Sequence, residues 1–286
     1  MIRMERLGLV FVFLAAGAIG LAACGARRWS KAAKALLGGI EAARLPASSR
    51  PYSPRELDSL PAPVQRYLRA VLKDGQPVIA AVTIEHAGTF NLSATAEQWK
   101  PFTSRQRIVT RRPAFLWDAR IALLPGLTAR VHDGYVHGEG LLHAAVLGLF
   151  TVARLRGGGE LARGELMRFL AEAAWYPTAL LPSQGVRWEA VDDRSANATL
   201  VDGPLALTLL FRFNDVGLID SVRAEARGAM VGKEIVMVPW ECRLSDYQLR
   251  DGMSVPIAGE AAWLRPEGRQ PYFRGTITSL AYEFVP

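Results

Sequence analysis

The sequence predicts a mainly β protein of the α+β kind, in which a strongly curved antiparallel sheet wraps around a central pair of helices behind an N-terminal membrane helix. Three observations predict it. Apolar and polar residues alternate through much of the second half of the 286 residues, as where Val186, Trp188 and Ala190 alternate with Arg187 and Glu189. Turn signals separate such runs at Asp133-Gly134, Asn214-Asp-Val-Gly217, Asp251-Gly252 and Arg265-Pro-Glu-Gly268. Helical spacing is confined to a few stretches, and the clearest ends against Pro177, whose ring cannot continue a helix.

The chain begins with Arg3 and Arg6, followed by the apolar run Leu7 to Ala23, which carries no charge and enters a membrane. Two readings of it stand side by side. Leu21-Ala22-Ala23-Cys24 has the spacing of a bacterial lipobox, in which Cys24 would take the lipid. Arg27, Arg28, Trp29 and Lys31 instead form the basic-aromatic flank of an uncleaved signal anchor. We read residues 1–26 as the membrane anchor or signal segment, 27–56 as a basic helical and Pro-Ser linker, and 57–286 as one curved antiparallel β domain with helices near 140–175. The bases after the span would by charge alone leave the domain in the cytoplasm.

Within the domain, Leu57, Leu60, Val64, Tyr67, Leu68 and Val71 recur at spacings of three and four and predict a short helix with one buried face. Strands follow at Val78–Ile84, Arg105–Thr110 and Phe115–Leu124. Asp133-Gly134 is expected as the turn of a hairpin. Leu141 to Ala153 is apolar almost all round and predicts a core helix; Glu160 to Trp175 predicts an amphipathic one, with Glu165, Arg168 and Glu172 outward on its polar stripe. Strands occupy the rest, ending in one from Tyr272 to Phe284.

Composition limits the partners. The formal charge of +7 is spread along the chain and mixed with acids, without an arginine-rich block, which excludes a nucleic-acid reading and suits a surface beside anionic lipid. Cys24 and Cys242 lie on opposite sides of the main domain, so no structural disulfide is expected.

Motifs of catalysis fare poorly. Leu181-Pro-Ser-Gln-Gly185 lacks the first glycine of a nucleophile elbow. Gly228 to Glu234 is one residue short of a phosphate loop and has a carboxylate where a magnesium-binding hydroxyl belongs, and Gly138-Glu-Gly140 lacks the third glycine of a dinucleotide fingerprint. His132, Asp133, His137, Glu139 and His143 form the one dense cluster of acid-base or metal-ligating types, and an envelope hydrolase or metal-site enzyme built on it is an alternative. Its spacing matches no zinc motif, and no catalytic, metal-binding or cofactor-binding residue is assigned.

The stretch from Glu172 through Trp175-Tyr-Pro-Thr-Ala-Leu-Leu-Pro182, with Leu60–Tyr67, Phe115–Asp118 and Pro239-Trp240, resembles an uncharacterised bacterial family of membrane-associated proteins, from about Leu60 to the end. The strand content and helix placement are also similar to the Lol lipoprotein carriers, whose half-barrels hold lipid. That similarity implies an extracytoplasmic domain, against the charge rule. It also implies a cavity to which Phe115, Trp117, Phe169, Trp175, Tyr176, Trp188, Trp240 and Trp263 contribute. The expected function is non-catalytic binding of a lipid or other apolar ligand at the cell envelope, with the membrane as partner. A structural or protein-interaction module is the remaining alternative.

Overall fold

The computed structural model describes residues 2–45, 50–93, 96–231 and 234–285, with the backbone alone at 2–16, 18, 19 and 231. Among the described residues thirteen strands, each presenting alternate residues to opposite faces, join edge to edge in one open sheet. β1 (Ile79–Asn91), β2 (Trp99–Val109), β3 (Ala114–Leu124), β4 (Leu127–Val136), β5 (Glu139–Val146) and β6 (Phe150–Gly157) lie in chain order from the centre to one edge. The chain then starts again at the other edge. From there β7 (Arg187–Asp192), β8 (Ser195–Asp202), β9 (Leu205–Phe213), β10 (Ile219–Val231), β11 (Glu234–Arg250), β12 (Met253–Arg265) and β13 (Gly268–Phe284) return to the centre, where β13 pairs antiparallel with β1.

Edge β6 connects to edge β7 through α3 (Gly159–Ala171) and three 3-10 turns, Glu172–Trp175, Pro177–Leu180 and Pro182–Gln184. α3 packs on β4 and β5 from one half of the sheet and on β9 and β10 from the other. A flat sheet would hold those strands far apart, so the sheet curls into a trough around α3. α1 (Ile2–Ala42) lies on the outside, against β2, β3 and β4, and α2 (Ala62–Val71) packs on β8 and β12.

One helix, not a pair, fills the centre of the trough. The second was expected over Leu141–Ala153, which is β5, the start of β6 and the turn between them, where Leu147 and Gly148 both take positive φ. The apolar run has a simple cause. Leu142 and Ala144 face the main core in the trough, while Leu141 belongs to a smaller core completed by Ile40, Leu36 and Leu37 of α1. A strand covered on both faces loses its alternation and imitates a buried helix.

Asp133-Gly134 is likewise not a turn but the middle of β4. The reversal comes at His137 and Gly138, with φ of 56° and 81°. Gly134 is required for another reason: a Cβ there would stand 2.4 Å from the Phe115 carbonyl oxygen of β3. The turns expected near 214–217, 251–252 and 265–268 do join β9 to β10, β10's successor β11 to β12, and β12 to β13.

α1 runs unbroken through residues 26 and 27, where the sequence was divided into anchor and linker. Its second half is part of the domain's outer face. Trp29, Ala33 and Ile40 are buried, Trp29 Nε1 donates to Asp118 Oδ1 at 2.9 Å, and its ring stacks on His132 at 4.0 Å. Most side chains of the apolar run Leu7–Ala23 lie outside the described residues, as do Pro46, Ser48, Ser49, Gly232 and Lys233. Among the described residues no helix is long and apolar enough to cross a membrane.

Candidate functional site

The two ends of the trough are furnished differently. At one end α2 brings Val64, Tyr67, Leu68 and Val71 onto the sheet, and the 3-10 turns bring Tyr176, Leu180 and Leu181, all fully buried. Side chains hold these turns in place. Thr178 Oγ1 accepts from the Ile79 amide at 2.9 Å, Trp188 Nε1 donates to the Leu180 carbonyl at 2.9 Å, and Tyr282 Oη donates to that of Trp175 at 2.7 Å. Pro177 and Pro182 break the chain into short turns that follow the trough floor.

At the other end the trough is hollow. An outer chamber of about 890 Å³ opens among Phe90, Trp99, Leu142, Leu161, Trp263 and Tyr272. An inner chamber of about 310 Å³ lies against Trp117, Ile121, Trp175, Trp240, Ala261 and Phe273. Phe90, Leu92, Asp133, Leu142, Arg227 and Tyr272 line both, so the two adjoin. Most of the inner wall is apolar, with Asp133, Arg168, Glu172, Arg227 and Glu260 its charged members, and the indole N–H groups of Trp117 and Trp175 have no hydrogen-bond partner there.

A charged network crosses the junction. The polar stripe expected to face outward is buried, because α3 lies inside the trough with sheet on both sides. Arg168 reaches Glu172 at 2.6 Å and Asp133 at 2.7 Å, its guanidinium over Phe115 and Trp117, and Gln106 Nε2 donates to Glu172 at 2.6 Å. Burial opposes the charge on Arg168, but Glu172, Asp133 and Glu165 outweigh it and keep the group firmly protonated. Across the cavity Arg227 lies over Trp240, 4.7 Å from the ring centre, and 3.6 Å from Glu165. Burial, reinforced by Asp133, pushes the Glu165 carboxyl up to about 8, so it is mostly neutral at pH 7 despite the arginines.

The eight aromatic candidates divide. Trp117, Trp175 and Trp240 line the inner chamber and Trp263 the outer one. Phe115, Tyr176 and Trp188 are core, and Phe169 borders a separate recess near Leu45 and Leu200. Cys24 is an exposed free thiol on α1. Cys242 lines the inner chamber, where burial raises its thiol to about 12 and leaves it protonated and inert.

The histidine-carboxylate cluster disperses. Adjacent residues on β4 point to opposite faces, so His132 meets Trp29 on the outside while Asp133 meets Arg168 within. His143 sits beside His132 on the outer face, also against Trp29, and Glu139 pairs with Arg156. Burial lowers His132 to about 4 against the pull of Asp118, so the 3.6 Å His132–Asp118 contact is no ion pair at neutral pH. Among the described residues no three His, Cys, Asp or Glu side chains gather to hold a metal ion. A hydrolase centred on this cluster loses its basis.

A model described as a family of unknown function (DUF6920) matches residues 58–282. The chain belongs to this family. Fold comparison finds the chain similar to a LolA superfamily protein from Nitrosomonas europaea, at 10% identity and TM-score 0.36, over 80% of this chain and 96% of that one. It also finds a β-barrel-like protein of the domain of unknown function DUF1849 from Brucella abortus, at 12% identity and TM-score 0.22, over 72% and 99%. No curated protein matches the sequence.

Sequence reasoning missed Arg168 and Arg227 as cavity residues. The spacing of Glu165, Arg168 and Glu172 was visible, yet periodicity gives a stripe without saying which stripe faces water. What decides it is that α3 crosses between two halves of a curled sheet.

Proposed function

We propose that this DUF6920 protein binds a lipid, acyl chain or similar apolar molecule in the hollow end of its trough, without catalysis, while attached to the bacterial envelope by its N-terminal segment. The observation that carries the reading is the contrast in filling: an inner chamber with mostly apolar walls lies beside a core of fully buried side chains. Burying a ligand chain there supplies roughly 0.8 kcal/mol per methylene. The outer chamber gives access from solvent. Attachment rests on the charge-free run Leu7–Ala23 behind Arg3 and Arg6, either as an uncleaved anchor or through lipid on Cys24. The sheet domain then stands on the extracytoplasmic side of the membrane.

Native mass spectrometry with lipid extraction, on the full chain expressed beside membranes, tests the reading. A stoichiometric co-purifying lipid is the expected result. A stable, empty protein that also takes up no fluorescent fatty acid would overturn it and favour an interaction module, for which edge strand β6, with Phe150 and Val152 exposed, is the natural surface.

A further inference from the structure

The two arginines that line the inner chamber are not equivalent. Arg168 is spent: its donors go to Glu172, Asp133 and Gln106. Arg227 is the more buried of the two, 8% exposed, and lines both chambers, yet its one hydrogen bond is a 3.4 Å contact from Nη1 to Tyr272 Oη. Nη2 stands 3.6 Å from Glu165 Oε1, too far for a hydrogen bond. Glu165, 7% exposed and lining the outer chamber, has no hydrogen-bond partner on Oε2. A desolvated guanidinium with most of its five donors unused, stacked on Trp240 at the neck of an apolar chamber, has the chemistry of an oxyanion receptor.

We infer that the ligand is an anionic amphiphile whose single oxyanion head, a carboxylate or phosphate, pairs with Arg227 while its apolar chain fills the inner chamber. This assignment rests on the carrier reading above and narrows it to one charge class. The groups facing Glu165 are Asp133 on β4, Arg168 and Glu172 on α3, Arg227 on β10 and Tyr272 on β13. Asp133 and Glu172 are both held by Arg168, so neither competes for Arg227. Glu165 keeps its proton to about pH 8 and is a second donor to the same head. Above that pH its carboxylate becomes a competitor.

Quenching of tryptophan fluorescence by 9,10-dibromostearate reports occupancy beside Trp117, Trp175 and Trp240 in the full chain. Displacement by stearate, octadecyl phosphate, methyl stearate and octadecylammonium then separates head from chain. At pH 7 the better of the two anions is expected to displace the probe about tenfold or more below the concentration needed for the ester or the ammonium. Which anion leads identifies the head.

Arg227→Met should bring the anion-to-ester ratio near one, and Arg227→Lys, which keeps charge without the planar fork, should fall between. In wild type the ratio should drop between pH 7 and pH 9. Glu165→Gln, a neutral donor at every pH, should hold it constant. Equal displacement by anion and ester overturns the head assignment and leaves the carrier reading standing. Tighter displacement by the ammonium reverses the charge class. No quenching, with no displacement by any chain, overturns the carrier reading itself. The wild-type series decides even where an Arg227 variant fails to fold.

Discussion

The filled and hollow ends of the trough are built from the same strands. β1, β12 and β13 contribute Ile79, Val255 and Ile277 to the packed core and Phe90, Trp263 and Tyr272 to the cavity wall. The difference comes from what is laid on them. α2 and the turns after Trp175 supply side chains enough to close one end; at the other, α3 offers Glu165, Arg168 and Glu172 where a core would need Leu or Phe. Charged residues cannot close-pack against aromatic walls without partners, so a helix with this stripe both requires a polar network and leaves space around it.

The largest expected effect lies on the network. Arg168→Met removes the partner of two carboxylates, the buried Glu172 and the largely buried Asp133, and should cost about 3–5 kcal/mol in urea unfolding. A loss under about 1 kcal/mol would show that water already reaches these groups and that the hollow end is wetter than its walls imply. At the filled end, Leu68→Ala opens a void among fully buried neighbours and should cost about 2–5 kcal/mol, with no change in ligand capacity of the folded protein. Altered ligand uptake there would break the division of the trough into two ends.

His86 stands at the boundary, 5.0 Å from Trp175, with neither ring nitrogen hydrogen-bonded. Burial, then Arg168, lowers its pKa to about 3. Between that value and its ordinary 6.5 the unfolded chain takes up a proton that the folded one refuses. Stability from this group is therefore complete above pH 6.5 and falls as pH drops through the window, by about 3 kcal/mol at pH 4.5. Glu165, raised by burial, works in the opposite sense, gaining stability as pH falls from about 8. His86→Leu isolates the first contribution: the unfolding free energy of the variant minus that of wild type should rise by about that amount as pH falls from 7 to 4.5. An identical slope would place His86 in contact with solvent.

Much of this architecture was legible because strand alternation and turn chemistry are local. The turns at Asn214–Gly217 and Asp251-Gly252, α2 with its buried Tyr67 and Leu68, and the helix stop at Pro177 all follow from a few adjacent residues. What was not legible depends on coverage by distant elements. β5 imitates a helix only because α1 lies over its outer face, and Gly134 imitates a turn residue because β3 approaches it closely. The cavity is harder still. Trp117 and Phe115 occupy alternate positions of one strand face, yet the first borders space and the second is core. No spacing rule separates them, since the distinction is set by what α3, more than 40 residues away, places opposite.

The sharpest test of the two-ended trough is one that should hardly affect stability. Ala144 on β5 lines the inner chamber and is only partly buried, so a larger side chain there grows into space and not into neighbours. Ala144→Met adds a flexible apolar chain that makes new dispersion contacts with Trp117 and Ile121 at a modest entropy cost, and the unfolding free energy should change by less than about 1 kcal/mol. Ligand uptake, measured by displacement of a fluorescent fatty acid, should nonetheless fall sharply, because the added side chain occupies the volume a ligand chain needs. The same enlargement at the filled end, as in Ala196→Met on β8, the strand α2 packs on, has no space to enter and should destabilise by about 1–3 kcal/mol while leaving uptake intact. If both substitutions destabilise alike, the inner chamber closes in solution and the two ends are one continuous core.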